Sequence, residues 1–108
     1  MNQFHKLNTA MAAASFVRGL SISVVDRESG KYDLELCLAE NPTDFDFVRV
    51  VFRDVVELKC NLALGGWSQV EMLGVRSKRE GYEQPYVVEE IEFDTLSFRC
   101  ASAELAND

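Results

Sequence analysis

The sequence predicts a single, mainly β domain spanning residues 1–108, folded as an antiparallel β-sandwich or partly open barrel of about seven strands with a short N-terminal helix. Apolar and polar residues alternate with a period of two in several short runs, which is the pattern of strands with one buried face. The runs recur at intervals of roughly 8 to 14 residues with little helix between them, which favours antiparallel strands over βαβ units. Hydrophobic residues make up 47% of the chain, enough for one core in a domain of this length.

Both ends of the chain are expected to be less regular than its middle. Residues 1–15 form an N-terminal arm or a short helix, because the run 10–14 favours helix and either Asn8 or Thr9 can cap its first turn. Residues 103–108 are expected to fray, since terminal residues are poorly ordered unless they are tied to the rest of the fold.

The clearest element is a β-hairpin over residues 20–38. In its first strand, apolar residues that include Ile22 and Val24 alternate with serines, so one face is expected to be buried and the other solvated. A polar turn over residues 26–30 follows, in which Gly30 can adopt a positive φ. The second strand alternates in the same way, with one tyrosine and three leucines on its apolar face.

The middle of the chain predicts two further runs of strand around an irregular step. Pro42 marks a loop, because proline cannot donate to a strand ladder. Residues 47–52 then favour a strand, and residues 56–62 repeat its alternation. Residues 53–55 between them are either a tight reversal or a β-bulge.

The last third predicts a bulged strand, an exposed loop and a second hairpin. Apolar positions after the glycine pair at 65–66 change parity near Met72, as they do at a β-bulge. Residues 76–85 form the longest polar stretch and are expected to be an exposed loop. Residues 86–93 and 96–100 are then expected to pair as the second hairpin.

Composition argues against several classes of partner and compartment. Eleven basic residues against 18 acidic residues give a formal net charge of -7, the wrong sign for a nucleic-acid-binding domain. No stretch approaches the roughly 18 consecutive apolar residues of a membrane span, so we expect no membrane partner. Cys37, Cys60 and Cys100 are an odd, scattered set, which predicts a reducing, cytoplasmic compartment and cysteines that pack in the core.

The sequence has no recognisable catalytic, metal or cofactor site. His5 is the single histidine and lies close to the N-terminus, whereas a catalytic base must be held rigidly within reach of its substrate. The cysteines lack the close pairs of a zinc site. The glycine pair at 65–66 lacks the further residues of a phosphate loop or a dinucleotide fingerprint. We therefore expect no catalytic residue, no metal ligand, no cofactor and no enzymatic activity.

A row of carboxylates near the C-terminus is the first candidate binding site. In a strand, Glu90, Glu92 and Asp94 project to one side, where they can meet a basic protein surface. Trp67 is a second candidate contact, since aromatic residues are enriched at interface hot spots. The alternatives are a solvated face for the carboxylates and a core position for the indole. A calcium site is disfavoured because the spacing of its loop ligands is missing.

Aromatic residues provide a second candidate site. Trp67, Tyr82 and Tyr86 would line a pocket for a small ligand at one end of the sheets. The basic residues at 76–79 lie between them in the sequence, and basic residues interleaved with aromatic ones are typical of single-strand nucleic-acid grooves. In a chain of this net charge we interpret them as a solvated loop.

Two segments carry a resemblance to a known group of proteins. They are Val48 to Cys60, VRVVFRDVVELKC, and Val88 to Cys100, VEEIEFDTLSFRC. The first contains a Phe-x-Asp-Val step, and in the second a Glu-rich strand leads into Ser-Phe-x-Cys. The arrangement resembles small bacterial β domains, some of which are immunity proteins of toxin systems. The resemblance implies a protein that neutralises a partner by binding it.

These observations together predict a non-enzymatic protein-binding domain of immunity-like type that presents an acidic face to a basic protein partner. A small-ligand-binding β domain that uses the aromatic pocket is one alternative. A structural or assembly module is another, and such a module would form a homodimer through its edge strands.

Overall fold

The structure is a computed structural model that describes residues 4–14, 16–40, 48–61, 68–69, 73–78, 80–90 and 96–106. As predicted, the described residues are mainly β with one short N-terminal helix. They contain eight antiparallel strands in an open sheet, where about seven strands were expected. In chain order the elements are α1 (His5–Ala13), β1 (Phe16–Asp26), β2 (Lys31–Ala39), β3 (Val48–Cys60), β4 (Ser68–Gln69), β5 (Leu73–Lys78), β6 (Tyr86–Glu90), β7 (Leu96–Cys100) and β8 (Ser102–Leu105).

The long strand β3 organises the sheet. The strand order is β4-β1-β2-β3-β7-β6-β5, and β8 also pairs with β3. Strands β7 and β8 follow one another along the same edge of β3, since Val56 lies opposite Arg99 and Arg53 lies opposite Ser102. Between them the N–H of Ala101 donates to the carbonyl of Arg53 at 2.9 Å.

The C-terminal segment corrects one expectation. Residues 103–105 do not fray but belong to β8, and the next residue, Ala106, donates its N–H to the carbonyl of Arg49 at 2.8 Å. The physical reason is that the first half of β3 has a second edge whose backbone groups need partners, and this segment supplies them. Its polar alternation hides the strand in the sequence, because β8 lies mostly at the surface.

The irregular step in the middle of the chain is a bulge and not a reversal. Strand β3 runs without a break through residues 53–55, and its pairing with β2 and β7 shifts register on either side of this point. Asp54 and Glu57 have φ values of 53° and 57°, in the left-handed region that L side chains rarely adopt. The bulge bends β3 and increases its twist, so one strand can pair with β2 along its first half and with β7 along its second.

The core lies on one face of the curved sheet. Phe52 of β3 and Phe98 of β7 are buried at its centre, with ring centroids 4.8 Å apart and planes at 77°. This edge-to-face arrangement suits the charge distribution of two aromatic rings. The other buried apolar residues of the strands are Val17, Leu34, Leu36, Leu38, Ala39, Val50, Val55, Leu73, Val75, Val88, Leu96 and Cys100.

Helix α1 closes one side of this core. Phe4, Leu7, Met11 and Ala14 are spaced three or four residues apart, so they share one helix face, and all four are buried. The helix begins at His5, earlier than expected, and the residue before it makes no side-chain capping bond. No helix in the described part of the chain is long and apolar enough to cross a membrane.

The predicted cap residue Asn8 has a different role. Its amide nitrogen donates to the carbonyl of Val75 at 3.2 Å, and its amide oxygen accepts the N–H of Val75 at 2.9 Å. The side chain therefore pairs with β5 as the backbone of a neighbouring strand would. The hydroxyl of Thr9, the other predicted cap, donates back to the carbonyl of His5 at 2.8 Å.

Both predicted hairpin pairings are present, and residues 91–95, which belong to the second predicted hairpin, lie outside the described residues. Strands β1 and β2 pair from Phe16 opposite Ala39 to Asp26 opposite Lys31, and β6 pairs with β7. The turn of the first hairpin is held by the carboxylate of Asp26, which accepts the N–H of Glu28 at 3.0 Å and the hydroxyl of Ser29 at 2.9 Å. These bonds favour the ionised form and lower the pKa of Asp26. The expected loop 76–85 is shorter than predicted, since β5 extends to Lys78.

We expect Gly30→Ala to lower the free energy of unfolding by about 1 kcal/mol. Gly30 has a φ of 73°, and a Cβ there would meet no atom within 4 Å, so the cost is conformational and not steric. Urea denaturation followed by circular dichroism measures the change.

Gly19→Ala is the matched control for this turn substitution. No positive φ occurs at Gly19, and a Cβ there would lie 3.9 Å from the Cβ of Cys37, an ordinary contact. We expect this variant to be as stable as the wild type or slightly more stable. Equal losses in the two variants would contradict the assignment of strain to the turn.

Candidate functional site

In the part of the chain that the structure describes, the outer edge of β1 has a paired strand at its beginning, where β4 lies opposite Phe16 and Val17. Among the described residues, no strand pairs with this edge from residue 18 to the end of β1 at Asp26. Nine successive positions of β1 therefore have no described neighbour on the side away from β2.

From Ser21 to Asp26 the side chains of this segment are exposed on both faces. The exposed fractions are 49% for Ile22, 63% for Val24 and 63% for Val25. Ile22 and Val24 were expected to be buried because their alternation with serines is regular, and the structure shows that this expectation is wrong. They lie opposite Leu34 and Tyr32 of β2, on the core side of the sheet, but beyond the area that the core covers. Helix α1 packs against β5, at the other end of the strand order.

The open edge also lacks the charges that usually protect such edges. Residues 19–25 contain no charged residue and no proline, although 29 of the 108 residues in the chain are charged. Proteins commonly place lysine or proline on an exposed edge to prevent pairing with other strands. We call this stretch, residues 19–25, the open edge.

A polar concavity lies on the outer face of the sheet, where β3, β6 and β7 meet. Its volume is about 520 Å³. Basic and acidic side chains line it together, which differs from the mostly apolar lining of typical small-molecule pockets. The lining residues are Glu57, Leu58, Lys59, Val87, Glu89, Ser97, Phe98 and Arg99.

Arg99 is the best-held charge in this concavity. Its Nε donates to Glu57 at 2.5 Å, and its Nη1 donates to the carbonyl of Gln84 at 3.4 Å. The guanidinium also lies 4.6 Å from the ring centre of Tyr82, in cation–π geometry. Three contacts, one from β3 and two from the segment before β6, therefore fix this arginine, so it presents a rigid positive group to the concavity.

The carboxylate of Asp54, at the bulge of β3, is partly buried. Asp54 accepts a bond from Gln84 at 2.9 Å through one oxygen, and its other oxygen is buried without a hydrogen-bond partner. Removal from water and the nearby charge of Asp54 together raise the pKa of the Cys100 thiol to about 12. Cys100 is therefore a neutral core residue and not a nucleophile.

We expect alkylation to separate the three thiols of the native chain. Cys60 is exposed and should react first with iodoacetamide at about pH 9, whereas Cys100 should stay unmodified until the chain unfolds. Mass spectrometry of digested samples gives the modified fraction at each site, and the same reaction in urea is the control. Because the folded state raises the pKa of Cys100, its contribution to stability is lost as the pH rises through the window between about 9 and 12. Rapid native labelling of Cys100 would contradict its burial.

The structure moves one of the predicted acidic contacts out of reach. Glu90 was expected on a solvent-facing row, but its side chain is 1% exposed and lies on the core face with Val88. The reason is that the odd-numbered residues of β6 face outward and the even-numbered ones face the core. Glu89 therefore lines the concavity in place of Glu90. Glu92, Asp94 and Trp67 lie outside the described residues.

The two tyrosines of the predicted aromatic pocket are not brought together. Tyr86 lies opposite Cys100 on the core face and packs edge-on against Phe4, with ring centroids 4.8 Å apart. Tyr82 is exposed and stacks on Arg99, which belongs to the outer face. These two residues therefore lie on opposite sides of the sheet.

Acidic residues on the outer face of β2 and β8 are largely paired with arginine. Arg53 donates to Asp33 at 2.9 Å and to Glu104 at 3.1 Å, and Arg49 pairs with Glu35. These cross-strand pairs neutralise much of the local charge, so this face does not concentrate the net negative charge of the chain. Sequence analysis missed the pairing because it depends on the register of β2 with β3.

The described residues include no group of three or more histidine, cysteine, aspartate or glutamate side chains that could hold a metal ion. Comparisons with protein families, with curated proteins and with solved structures find no match for this chain.

Proposed function

We propose that this chain is a non-enzymatic protein-binding domain that takes up an extended strand of its partner along the open edge. The observation that carries the proposal is an uncharged edge, residues 19–25, which includes exposed β-branched side chains and which no described strand pairs on the side away from β2. The partner segment is itself a strand, uncharged over about seven residues, with β-branched side chains at alternate positions.

Strand addition supplies both affinity and specificity at such a site. Backbone N–H and C=O groups along the open edge can exchange hydrogen bonds with the incoming strand, and alternate side chains can read its sequence. Ile22 and Val24 lie on the core side, so apolar side chains of the partner would extend the core face beyond β1. The serines between them lie on the other face.

This proposal keeps the function predicted from the sequence, protein binding, but assigns it to the open edge in place of the acidic row. The acidic row no longer serves as the contact, because Glu90 is buried. The net charge of -7 still favours encounter with a basic protein at low salt. Residues 48–60 and 88–100 resemble small bacterial β domains that include immunity proteins. This resemblance implies that the chain neutralises the partner that it binds. A toxin-like reading frame beside the gene for this chain would supply the partner to test.

A synthetic strand tests the proposal directly. The probe is a capped heptapeptide in which serine alternates with valine. It is added in large excess to the isotope-labelled protein. We expect backbone amide shifts that rise with peptide concentration and are confined to residues 19–25 and their neighbours on β2. A peptide of the same composition with its valines grouped together is the control. Equal responses to both peptides, or shifts elsewhere in the chain, would overturn strand addition.

The polar concavity favours a second candidate function, binding of a small zwitterionic ligand. Lys59 and Arg99 could contact a carboxylate, and Glu57 and Glu89 an amine, within about 520 Å³. Titration with free amino acids while following the amides of 57–59 and 97–99 tests this candidate, with Lys59→Gln as the variant expected to weaken binding. Unchanged amide spectra at millimolar amino acid would exclude this ligand class.

A further inference from the structure

We propose that the polar concavity binds a β- or γ-amino acid whose carboxylate contacts Lys59 and whose amine contacts Glu89. The inference rests on the second candidate function, a small zwitterionic ligand, and names the spacing between the two charges of that ligand. It follows from the order of strands β3, β7 and β6 and from the residue pairs that cross them. None of the residues it uses lies on the open edge.

The concavity is a consequence of the register shift between β3 and β7. Val56 lies opposite Arg99 and Lys59 lies opposite Ser97, so two residues of β3 face one of β7 between these pairs. Successive residues of a strand normally alternate between its faces, but here three successive residues that end at Lys59 all line the concavity. One of them, Glu57, has a φ of 57°, and such sparsely populated backbone clusters at ligand sites. The bulge therefore opens the outer face here and re-aims its side chains.

Two of the four charges that line the concavity satisfy each other. Arg99 donates to Glu57 at 2.5 Å and is held by two further contacts. Neither Lys59 nor Glu89 forms a side-chain hydrogen bond or an ion pair with any residue that the structure describes. A ligand therefore meets one cation and one anion that are not already paired, and a zwitterion can form a charge-assisted bond with each.

These two charges lie in one row across three strands. Lys59 of β3 lies opposite Ser97 of β7, which in turn lies opposite Glu89 of β6. All three residues line the concavity, so they share the outer face, with Ser97 between the two charges. Neighbouring strands are about 4.8 Å apart, so the backbones of Lys59 and Glu89 are separated by about 10 Å. Because side chains stand roughly perpendicular to a sheet, their charged groups are separated by a similar distance.

This spacing selects the length of the ligand. Contacts of about 2.8 Å at each end leave about 4–5 Å between the charged groups of a ligand that bridges the row. In an α-amino acid the amine nitrogen and the carboxylate carbon are about 2.5 Å apart, and each further methylene adds about 1.3 Å. An α-amino acid is therefore too short to contact both charges, whereas one or two further methylenes are enough. The concavity of about 520 Å³ holds such a molecule together with water, so we expect affinity in the millimolar range.

Titration with a series of amino acids tests this spacing. Glycine, β-alanine, 4-aminobutanoate and 6-aminohexanoate share the same end groups and differ in length. Amide shifts of residues 57–59 and 97–99 in isotope-labelled protein give the dissociation constant of each at constant ionic strength. We expect the better of β-alanine and 4-aminobutanoate to bind about threefold or more tightly than glycine, and more tightly than 6-aminohexanoate, which must fold back between the charges. Butanoate and butylamine carry one charge each and should bind no more tightly than glycine.

Two variants show whether the row carries the preference for length. Lys59→Gln and Glu89→Gln each remove one of the two charges, and each should abolish the preference for the longer amino acids over glycine. Lys31→Gln and Glu28→Gln remove the same charges at exposed positions around the turn of the first hairpin and should leave the preference intact. Circular dichroism checks that each variant is folded.

The outcomes separate the spacing from the function on which it rests. A chain that binds glycine as tightly as its longer analogues, or whose preference survives Lys59→Gln, overturns the spacing and leaves the second candidate function standing. A chain whose concavity amides respond to none of the four amino acids overturns both. Strand addition at the open edge is tested by the serine–valine peptide and depends on neither result.

Discussion

Replacing Phe52 with alanine is expected to lower the free energy of unfolding by about 3–5 kcal/mol, the largest loss we predict for one apolar residue. Phe52 is fully buried at the centre of the core and meets Phe98 edge to face. The variant loses the burial of a large ring and leaves a cavity that the surrounding strands can fill only partly. The total free energy of unfolding of a native protein is about 5–15 kcal/mol, so the variant would retain little stability.

Urea denaturation of three further variants shows where this loss arises. Phe98→Ala and the double variant complete a cycle, from which the ring–ring contact itself should contribute about 0.5–1.5 kcal/mol. Val51→Ala, one residue along β3 on the half-exposed outer face, is the matched control and should cost less than about 1 kcal/mol. If Phe52→Ala cost no more than Val51→Ala, the position of the core in this sheet would be wrong.

Glu90→Lys is expected to destabilise the chain by about 3–5 kcal/mol, because it forces an ammonium into a place that holds a carboxylate removed from water. Glu90 is 1% exposed on the core face of β6. Under the interpretation made from the sequence, the same substitution would leave stability unchanged and weaken partner binding. Thermal and urea unfolding therefore separate the two interpretations.

Glu89→Lys provides the comparison for this charge reversal. Glu89 precedes Glu90 in the same strand, carries the same side chain and lines the concavity on the partly exposed face. Its reversal changes the net charge by the same amount and should cost less than about 1 kcal/mol. Equal stability of the two variants would show that Glu90 is accessible to water.

Local alternation predicted the strands well, since period-two patterns report backbone conformation directly. Both hairpins and most of β3 follow from it. It could not predict burial, because burial depends on which other element covers a face. Ile22 and Leu34 both belong to runs in which apolar and polar residues alternate, and they lie opposite each other. Leu34 is nevertheless buried in the core, whereas Ile22 is about half exposed.

The candidate site was hidden from the sequence for a related reason. An open edge is a property of strand order, and strand order depends on contacts between distant parts of the chain. The sequence also could not show which face of β6 is buried, since nothing in a run of glutamates indicates which one faces inward. At Asp54 and Glu57 the bulge requires left-handed backbone. Glutamate does not favour this conformation, and aspartate tolerates it but is common in many other settings, so residue type alone did not predict it.

The bond between Asn8 and Val75 protects one end of the sheet. The side-chain amide of Asn8 occupies both backbone groups of Val75 in β5, which is the last strand of the order. An added strand would need these same groups for its own ladder bonds. A single amide in the N-terminal helix thus acts against aggregation through β5.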